Sequence, residues 1–244
     1  MLLALLAIFG SFIGSINYGP EPHQVVDYVD VGSDVTVAYL HAGAWAGGTR
    51  HEVPEFMGYF IEAGYNLASV EYGLTGDGYN YQDIHAEVLA AINALIKNGI
   101  GERFILAGAS AGGEIAARVV ASYHGRINII GYFGVVPATN LEDLASQPAG
   151  IGPGAALAYL DGTDPAVGTF SSNISVVRLP PALAFYGGAD PLVGPAHREQ
   201  LESVWSGLGG DIEIVVVSER GHNLEAEHVP REVVLDWVAT LDNQ

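Results

Sequence analysis

Short apolar runs that alternate with amphipathic segments constrain the fold of this chain more than any other feature. Runs rich in β-branched and aromatic residues are followed by stretches with apolar residues at helical spacing. The predicted strands are 24–30, 35–40, 66–72, 103–107, 128–136, 182–186 and 211–217, and the predicted helices are 54–63, 81–98, 110–123, 195–208 and 229–241. Continuous apolar strands separated by amphipathic helices predict an α/β fold, a mostly parallel sheet covered by helices on both faces.

The chain length and composition favour a single packed domain. A chain of 244 residues with 49% apolar and 15% charged residues is long and apolar enough to bury one full core. We expect residues 18–244 to form this domain. Between residues 137 and 181 the alternation is interrupted by a stretch rich in Gly, Pro, Ser, Asp and Ala. Such a long irregular stretch predicts an insert that forms a lid or a binding loop.

Residues 1–17 form a separate apolar segment without any charged side chain. The segment lacks the basic start and the small-residue cleavage site of a signal peptide. Its apolar run is shorter than the ~20 residues that cross a bilayer. We therefore expect an apolar helix that packs on the main domain. One possible position for this helix is over the active site. A cleaved signal peptide or an anchor through residues 1–16 on a membrane surface remains the alternative, and a cytoplasmic location is favoured over a secreted or membrane-associated one.

The charge of the chain limits its partners. Nine basic residues against 28 acidic ones give a net charge of −19, and a field this negative repels nucleic acid and anionic lipid. The absence of cysteine excludes disulfides, thiolate metal sites and a cysteine nucleophile. The eight histidines show no H-x-x-x-H spacing. We expect no metal and no cofactor, and the sequence does not indicate an oligomeric state.

The first motif with chemical meaning is a G-x-S-x-G sequence at 108–112, between the strand 103–107 and the helix that follows. In this context the serine sits on a sharp strand-to-helix turn, and its hydroxyl projects beyond the carboxyl end of the strand. An ordinary turn with Ser110 as helix cap also fits these residues. We interpret Ser110 as the candidate nucleophile.

A second motif, HAGAW at 41–45, follows the strand 35–40. Acyl transfer needs fixed N–H donors aimed at a tetrahedral oxyanion, and a loop of small residues can present its backbone that way. The candidate donors are the backbone N–H groups of Gly43, Ala44 and Ala111. We expect His41 to brace the loop through a side-chain hydrogen bond. Trp45 either lines the substrate pocket or belongs to the core, which is the commoner place for a lone tryptophan.

The candidate acid and base follow two later strands. Asp190 lies just after the strand 182–186, and His222 follows the strand 211–217. The carboxyl ends of parallel strands share one edge of the sheet, so both side chains are expected to meet Ser110 there. His222 would take the serine proton, and Asp190 would hold the imidazole in the required tautomer.

Other acidic and histidine residues compete for these roles. Asp161 and Asp164 belong to the insert and fit surface turns better. His197 and His228 lie within or beside predicted helices and are expected on the surface. Only His222 follows a glycine in a loop after a strand, which favours it as the base.

With these motifs the chain resembles the esterase/lipase branch of the α/β-hydrolases that carries an HGG-type oxyanion loop. That branch includes hormone-sensitive-lipase-like esterases, kynurenine formamidases and bacterial acetyl or feruloyl esterases. The resemblance runs from Tyr18 to Leu241 and rests also on YGP at 18–20, GASAGG at 108–113, LPPA at 179–182 and ADPLV at 189–193. It implies the α/β-hydrolase fold, with a triad in the order Ser110, Asp190, His222.

Three residues depart from the family pattern. Ala42 stands in place of the first glycine of HGG, which implies backbone strain if that position needs a positive φ. Gly73 stands in place of an arginine after Tyr72, and Glu114 follows the serine motif where His or Asn is frequent. The first two departures affect the oxyanion loop, and none affects the triad.

Three functions are compatible with these residues. The first is a serine carboxylesterase that acts through an acyl-enzyme on a small-molecule ester with a small to medium acyl group. The second is a formamidase or small-amide hydrolase of the kynurenine formamidase type, which the H-x-G-x-W loop resembles. The third is a non-catalytic binding protein on the same scaffold.

Overall fold

The computed structural model describes residues 14–123, 125–148, 150–168 and 178–241. In these ranges eight strands form one sheet in the order β1-β2-β4-β3-β5-β6-β7-β8. The strands are β1 (Gly14–Asn17), β2 (Val25–Val29), β3 (Val35–Leu40), β4 (Asn66–Val70), β5 (Arg103–Ala109), β6 (Ile129–Val135), β7 (Ala182–Gly187) and β8 (Ile212–Val217). β2 pairs antiparallel with β1 and with β4, and the other neighbouring strands of this sheet pair in parallel. The predicted mostly parallel α/β sheet is confirmed.

Helices cover both faces of the sheet. They are α1 (Gly58–Glu62), α2 (Tyr81–Lys97), α3 (Ala111–Tyr123), α4 (Leu141–Ser146), α5 (Ile151–Leu160), α6 (Pro165–Gly168), α7 (Pro195–Gly207) and α8 (Arg231–Leu241). Successive strand residues face opposite sides. Leu106 and Tyr132 therefore pack into the core on one face, between the sheet and helices α2, α3 and α7. Ile105 and Phe133 pack into the core on the other face, between the sheet and helices α1 and α8. Burial of both faces explains why the central strands read as continuous apolar runs.

The first edge of the sheet differs from the prediction. Residues 14–17, the end of the expected N-terminal helix, form strand β1, and this strand covers β2, which was expected at the edge. Gly14 pairs with Tyr28, and Asn17 pairs with Val25. The chain therefore enters β1 at the amino ends of the parallel strands, on the edge opposite Ser110. The expected helix otherwise lies in residues 1–13, outside the described residues.

The described part of the stretch between residues 137 and 181 contains three short helices, α4, α5 and α6, where the sequence suggested an irregular insert. Asn140 begins α4, and its side chain accepts a hydrogen bond from the Asp143 N–H at 3.0 Å. Leu144 and Tyr159 are buried and anchor α4 and α5 on the domain core. No helix in the described ranges has the length and hydropathy needed to cross a bilayer.

Candidate active site

Ser110 occupies a tight turn between β5 and α3. Its φ of 51° is unusual for a residue with a side chain, as expected for the strained turn that this motif forms. The Ser110 N–H donates to the Val135 carbonyl at 2.9 Å, and its carbonyl accepts from the N–H of Ala138 at 3.1 Å. Both bonds tie the turn to the end of β6. The serine is only 9% exposed, so the hydroxyl lies in a recess and not on an open surface.

A chain of two hydrogen bonds joins the three predicted triad residues. Ser110 Oγ lies 2.9 Å from His222 Nε2. On the other side of the ring, His222 Nδ1 lies 2.7 Å from Asp190 Oδ2. With a proton on Nδ1, the imidazole donates to the carboxylate and accepts from the serine hydroxyl. The structure therefore brings Ser110, His222 and Asp190 together at the carboxyl edge of the sheet.

Asp190 is fixed and kept ionised by hydrogen bonds. Its Oδ1 accepts the N–H groups of Leu192 at 2.9 Å and Val193 at 3.0 Å, which leaves Oδ2 for His222. Burial opposes ionisation, but the bonds from His222, Val193 and Leu192 outweigh it and lower the pKa of the Asp190 carboxyl. A buried carboxylate with this pKa stabilises an imidazolium at His222.

A close backbone contact holds the acid and histidine loops together. A Cβ at Gly187, the last residue of β7, would lie 2.2 Å from the carbonyl oxygen of Gly221. Only glycine allows this approach. The contact places His222 directly beside the turn that carries Asp190.

The predicted oxyanion loop forms a tight turn after β3. Gly43, Ala44 and Trp45 have φ values of 136°, 52° and 57°, and the Gly43 carbonyl accepts the N–H groups of Ala46 and Gly47. In the described part of the chain, the N–H groups of Gly43 and Ala44 donate to no backbone carbonyl. Ala111 begins α3, where helical N–H groups lack partners within the helix. These three groups remain the candidate donors to an oxyanion.

Ala42 does not have the strained backbone conformation that was expected for it. Ala42 is absent from the positive-φ residues of the described ranges, which include Ala44 and Trp45. The local conformation at position 42 therefore does not require a glycine. The positive φ values begin at the next residue, Gly43, and include both candidate oxyanion donors of this loop, Gly43 and Ala44.

The His41 side chain contacts the backbone at the start of the predicted oxyanion loop. Its side chain is fully buried, with Nδ1 2.8 Å from the Ala42 carbonyl and Nε2 3.3 Å from Glu71 Oε1. The ring stacks on Tyr72 at a centroid distance of 4.1 Å, and the Tyr72 hydroxyl donates to the His41 carbonyl at 2.8 Å. Sequence reasoning missed Glu71 and Tyr72, although both directly follow β4 at the same edge of the sheet.

Trp45 belongs to the core. It is 2% exposed and stacks on Tyr159 of α5, with ring centroids 4.6 Å apart. It does not line the cavity beside Ser110. Of the two predicted roles, the structure therefore gives Trp45 the one in the core.

A cavity of about 350 Å³ opens beside Ser110 and His222. Its walls are mainly apolar and its rim carries two carboxylates; the lining residues include Val53, Pro54, Phe56, Val136, Leu224, Glu52 and Glu225. Val136 has a φ of 44°, a rare conformation for a β-branched residue. It follows β6, so the rule that ligands bind at strand ends would have indicated it.

The rival residues lie outside the hydrogen-bonded chain. Asp161 and Asp164 are exposed residues of the insert, as expected. His197 and His228 are buried, at 0% and 8% exposure, so their expected surface location is wrong. His197 accepts the Asn140 N–H through Nδ1 at 2.9 Å, and this bond fixes the loop after β6 to α7. Within the described ranges no three His, Cys, Asp or Glu side chains are grouped to hold a metal ion.

A serine, a histidine and a carboxylate joined at the carboxyl edge of a mostly parallel sheet define the α/β-hydrolase class. A family model described as alpha/beta hydrolase fold matches residues 37–225. The chain therefore belongs to the α/β-hydrolase fold family. No curated protein sequence matches it.

Solved structures share the fold at low sequence identity. Esterase B from Lactobacillus rhamnosis is 19% identical, with a TM-score of 0.74 over 99% of this chain and 90% of that chain. Esterase 2 of Thermogutta terrifontis, phosphonylated by sarin, is 16% identical, with a TM-score of 0.73 over 92% of both chains. A truncated carbohydrate esterase from gut microbiota is 14% identical, with a TM-score of 0.76 over 96% of this chain and 98% of that chain.

Proposed function

We propose that this protein is a serine carboxylesterase that forms an acyl-enzyme on Ser110. The observation that carries the proposal is the chain of hydrogen bonds from Asp190 through His222 to Ser110, at 2.7 and 2.9 Å. These are the distances at which a base can take the proton of a serine hydroxyl. Two neighbours in fold, an esterase inhibited by a phosphonate and one phosphonylated by sarin, carry names that agree with this activity.

Acylation follows from this arrangement. Ser110 Oγ attacks the ester carbonyl carbon while His222 Nε2 accepts the hydroxyl proton. The carbonyl oxygen becomes an oxyanion, which the N–H groups of Gly43, Ala44 and Ala111 stabilise. When the intermediate collapses, the bond to the alcohol oxygen breaks, and the imidazolium of His222 returns its proton to the alcohol.

Deacylation repeats the same steps with water as the nucleophile. His222 removes a proton from the water, whose oxygen attacks the acyl carbon, and Ser110 leaves as the protonated hydroxyl. The carboxylate of Asp190 stabilises the imidazolium in both halves of the reaction. No step requires a metal or a cofactor.

The cavity supports a small to medium acyl or alcohol group. A volume of about 350 Å³ with mostly apolar walls accommodates a short hydrocarbon group. The carboxylates of Glu52 and Glu225 at the rim disfavour an anionic substrate.

The first test is hydrolysis of p-nitrophenyl esters from acetyl to dodecanoyl by the wild-type protein, Ser110→Ala and a control, Ser203→Ala. Ser203 is an exposed serine of α7, remote from the motif. We expect turnover to peak at short chains and to fall by about 10⁴-fold or more in Ser110→Ala. Ser203→Ala should retain wild-type turnover.

Two other results would contradict the proposal. Turnover of N-formylkynurenine well above that of every ester would indicate a formamidase. Failure of folded wild-type protein to hydrolyse any ester or to react with a fluorophosphonate would favour a binding role.

A further inference from the structure

Glu114 places a buried carboxylate one helical turn after the nucleophile. It is 0% exposed, and its backbone N–H donates to the Ser110 carbonyl at 3.1 Å. Its Oε1 accepts from Arg118 Nε at 2.8 Å. Glu114 is one of the three residues at which the sequence departs from the family pattern. A buried ion pair is costly unless its remaining atoms also find partners, so the second carboxylate oxygen needs a donor.

Tyr159 of α5 supplies that donor. Its hydroxyl donates to Glu114 Oε2 at 2.8 Å, and His85 Nε2 lies 2.9 Å from the same hydroxyl oxygen. Because the single hydroxyl hydrogen is used by Glu114, His85 must donate its Nε2–H. Burial and then the Glu114 charge raise the pKa of Tyr159. Burial and then the Arg118 charge lower the pKa of His85. Tyr159 and His85 are therefore neutral near pH 7, and the hydrogen bonds to Glu114 and His85 hold the phenol in one orientation.

The ring of Tyr159 lies against the oxyanion loop. It stacks on Trp45 with a centroid distance of 4.6 Å and an interplanar angle of 13°. Trp45 and the preceding Ala44 have φ values of 57° and 52°, in the left-handed region that is unfavourable for a residue with a side chain. A conformation of this kind persists only when its surroundings impose it. Besides the stack, the Trp45 carbonyl accepts the Thr75 N–H at 2.9 Å.

We propose that Tyr159 is a positioning residue of the oxyanion hole, holding Trp45 and thereby the N–H groups of Gly43 and Ala44 in place. Glu114 and His85 fix the phenol, so direct side-chain contacts join α5, the nucleophile helix α3 and the oxyanion loop. The inference rests on the proposed esterase activity and adds that part of transition-state stabilisation depends on a residue of the insert. Tyr159 itself touches no reacting atom in this assignment.

Two substitutions separate the ring from the hydroxyl. Tyr159→Leu removes the stacked ring, and Tyr159→Phe keeps the ring but removes the bond to Glu114. Tyr59→Leu on α1 is the control, because it removes a half-buried tyrosine from the opposite face of the sheet. We expect Tyr159→Leu to lower kcat for p-nitrophenyl esters by 10- to 100-fold, roughly the effect of a misplaced oxyanion donor. KM should stay within about twofold, and Tyr159→Phe should lose only about threefold in kcat.

Fluorine NMR of fluorotryptophan-labelled protein tests the same inference without activity. The chain contains three tryptophans, so three signals are expected, and Trp45→Phe assigns one of them to Trp45. Tyr159→Leu should shift or broaden that signal and leave those of Trp205 and Trp237 unchanged. Tyr59→Leu should leave the Trp45 signal in place. If Tyr159→Leu does not fold, Tyr159→Phe carries the test through a smaller change of the same signal.

Two outcomes would overturn the inference. A raised KM with unchanged kcat in Tyr159→Leu would make Tyr159 a substrate contact, and an unchanged Trp45 signal would show that the stack does not fix the loop. Absence of wild-type esterase activity and of labelling by a fluorophosphonate would instead count against the proposed function. In that event the Trp45 signal alone decides whether Tyr159 positions the loop.

Discussion

At the scale of single residues, the candidate active site depends on which nitrogen of His222 carries the proton. Asp190 Oδ1 is occupied by the N–H groups of Leu192 and Val193, so only Oδ2 is directed at His222 Nδ1. A carboxylate at this position accepts a hydrogen bond and cannot donate one. It therefore selects the tautomer in which Nε2 is free to accept the proton of Ser110.

Asp190→Asn should remove this selection with little change in shape. Its amide can donate to Nδ1 and so favours the tautomer whose Nε2 already carries a proton. We expect kcat for ester hydrolysis to fall by about 10³- to 10⁴-fold with little change in KM. Steady-state kinetics at pH 8 measure the effect.

Asp161→Asn is the matched control for this substitution. Asp161 directly follows α5 as its C-cap and has a φ of 46°, a conformation that asparagine also tolerates. The Asp161→Asn variant should retain wild-type kcat. Equal losses in the two variants would count against the assignment of Asp190 as the orienting acid.

The residues that could be predicted from the sequence share one property. Ser110, Asp190 and His222 each follow a predicted strand within a recognisable motif, so the sheet topology alone brings them together. Glu114, Tyr159 and His85 lie on three different helices, and their contacts depend on helix packing that spacing along the chain does not encode. The buried state of His197 was missed for the same reason.

At the scale of secondary structure, the site depends on how closely α3 approaches the end of β3. A Cβ at Gly112 would lie 2.1 Å from the Leu40 carbonyl oxygen and 2.4 Å from that of His41. Both oxygens belong to backbone that leads directly into the oxyanion loop. Gly112 therefore sets the distance between the nucleophile turn and the candidate oxyanion donors.

Gly112→Ala should separate these two elements. The added methyl forces a backbone shift, and we expect the free energy of unfolding to fall by roughly 1–3 kcal/mol. Because the shift changes the distance from Ser110 to Gly43 and Ala44, kcat should also fall by about 10- to 100-fold. Chemical denaturation and ester kinetics on the same preparation test both effects.

Gly207→Ala is the matched control for the added methyl group. Gly207 is the last residue of α7, and a Cβ there meets no atom within 4 Å. It should leave kcat unchanged and stabilise the protein slightly through its effect on the unfolded chain. An unchanged kcat in Gly112→Ala would show that the close approach does not set the oxyanion geometry.

Secondary structure could be predicted where burial imposes a regular pattern. The central strands are buried on both faces and read as continuous apolar runs, whereas the long helices are buried on one face and show a helical apolar period. β1 spans only four residues at the end of an apolar run, where a short strand and a helix look alike. The helix α5 has apolar residues all around its axis and contains Gly and Pro, so it carries no helical period.

At the scale of the whole molecule, two effects of acid oppose one another. The net charge of −19 means that protonation of exposed carboxylates relieves repulsion within the fold. Buried neutral histidines act in the other direction, because the unfolded chain binds protons that the folded chain excludes. Burial lowers the pKa of His197 from 6.5 to about 4, and the pKa of His85 is lowered as well.

The direction in which pH changes stability through His197 follows from the linkage between proton binding and folding. Its folded-state pKa is depressed, so its contribution to stability is complete above pH 6.5 and is lost as the pH falls toward 4. Between pH 7 and pH 5 we expect the protonation of His197 in the unfolded chain to lower the wild-type Tm by roughly 5 °C. His197→Asn keeps an acceptor for the Asn140 N–H but does not titrate, so its Tm should fall less over the same range.

His51→Asn, at a side chain that is 63% exposed, should follow the wild type. Thermal unfolding in about 0.5 M NaCl, where surface repulsion is screened, makes the comparison, and parallel curves for wild type and His197→Asn would contradict a buried neutral His197.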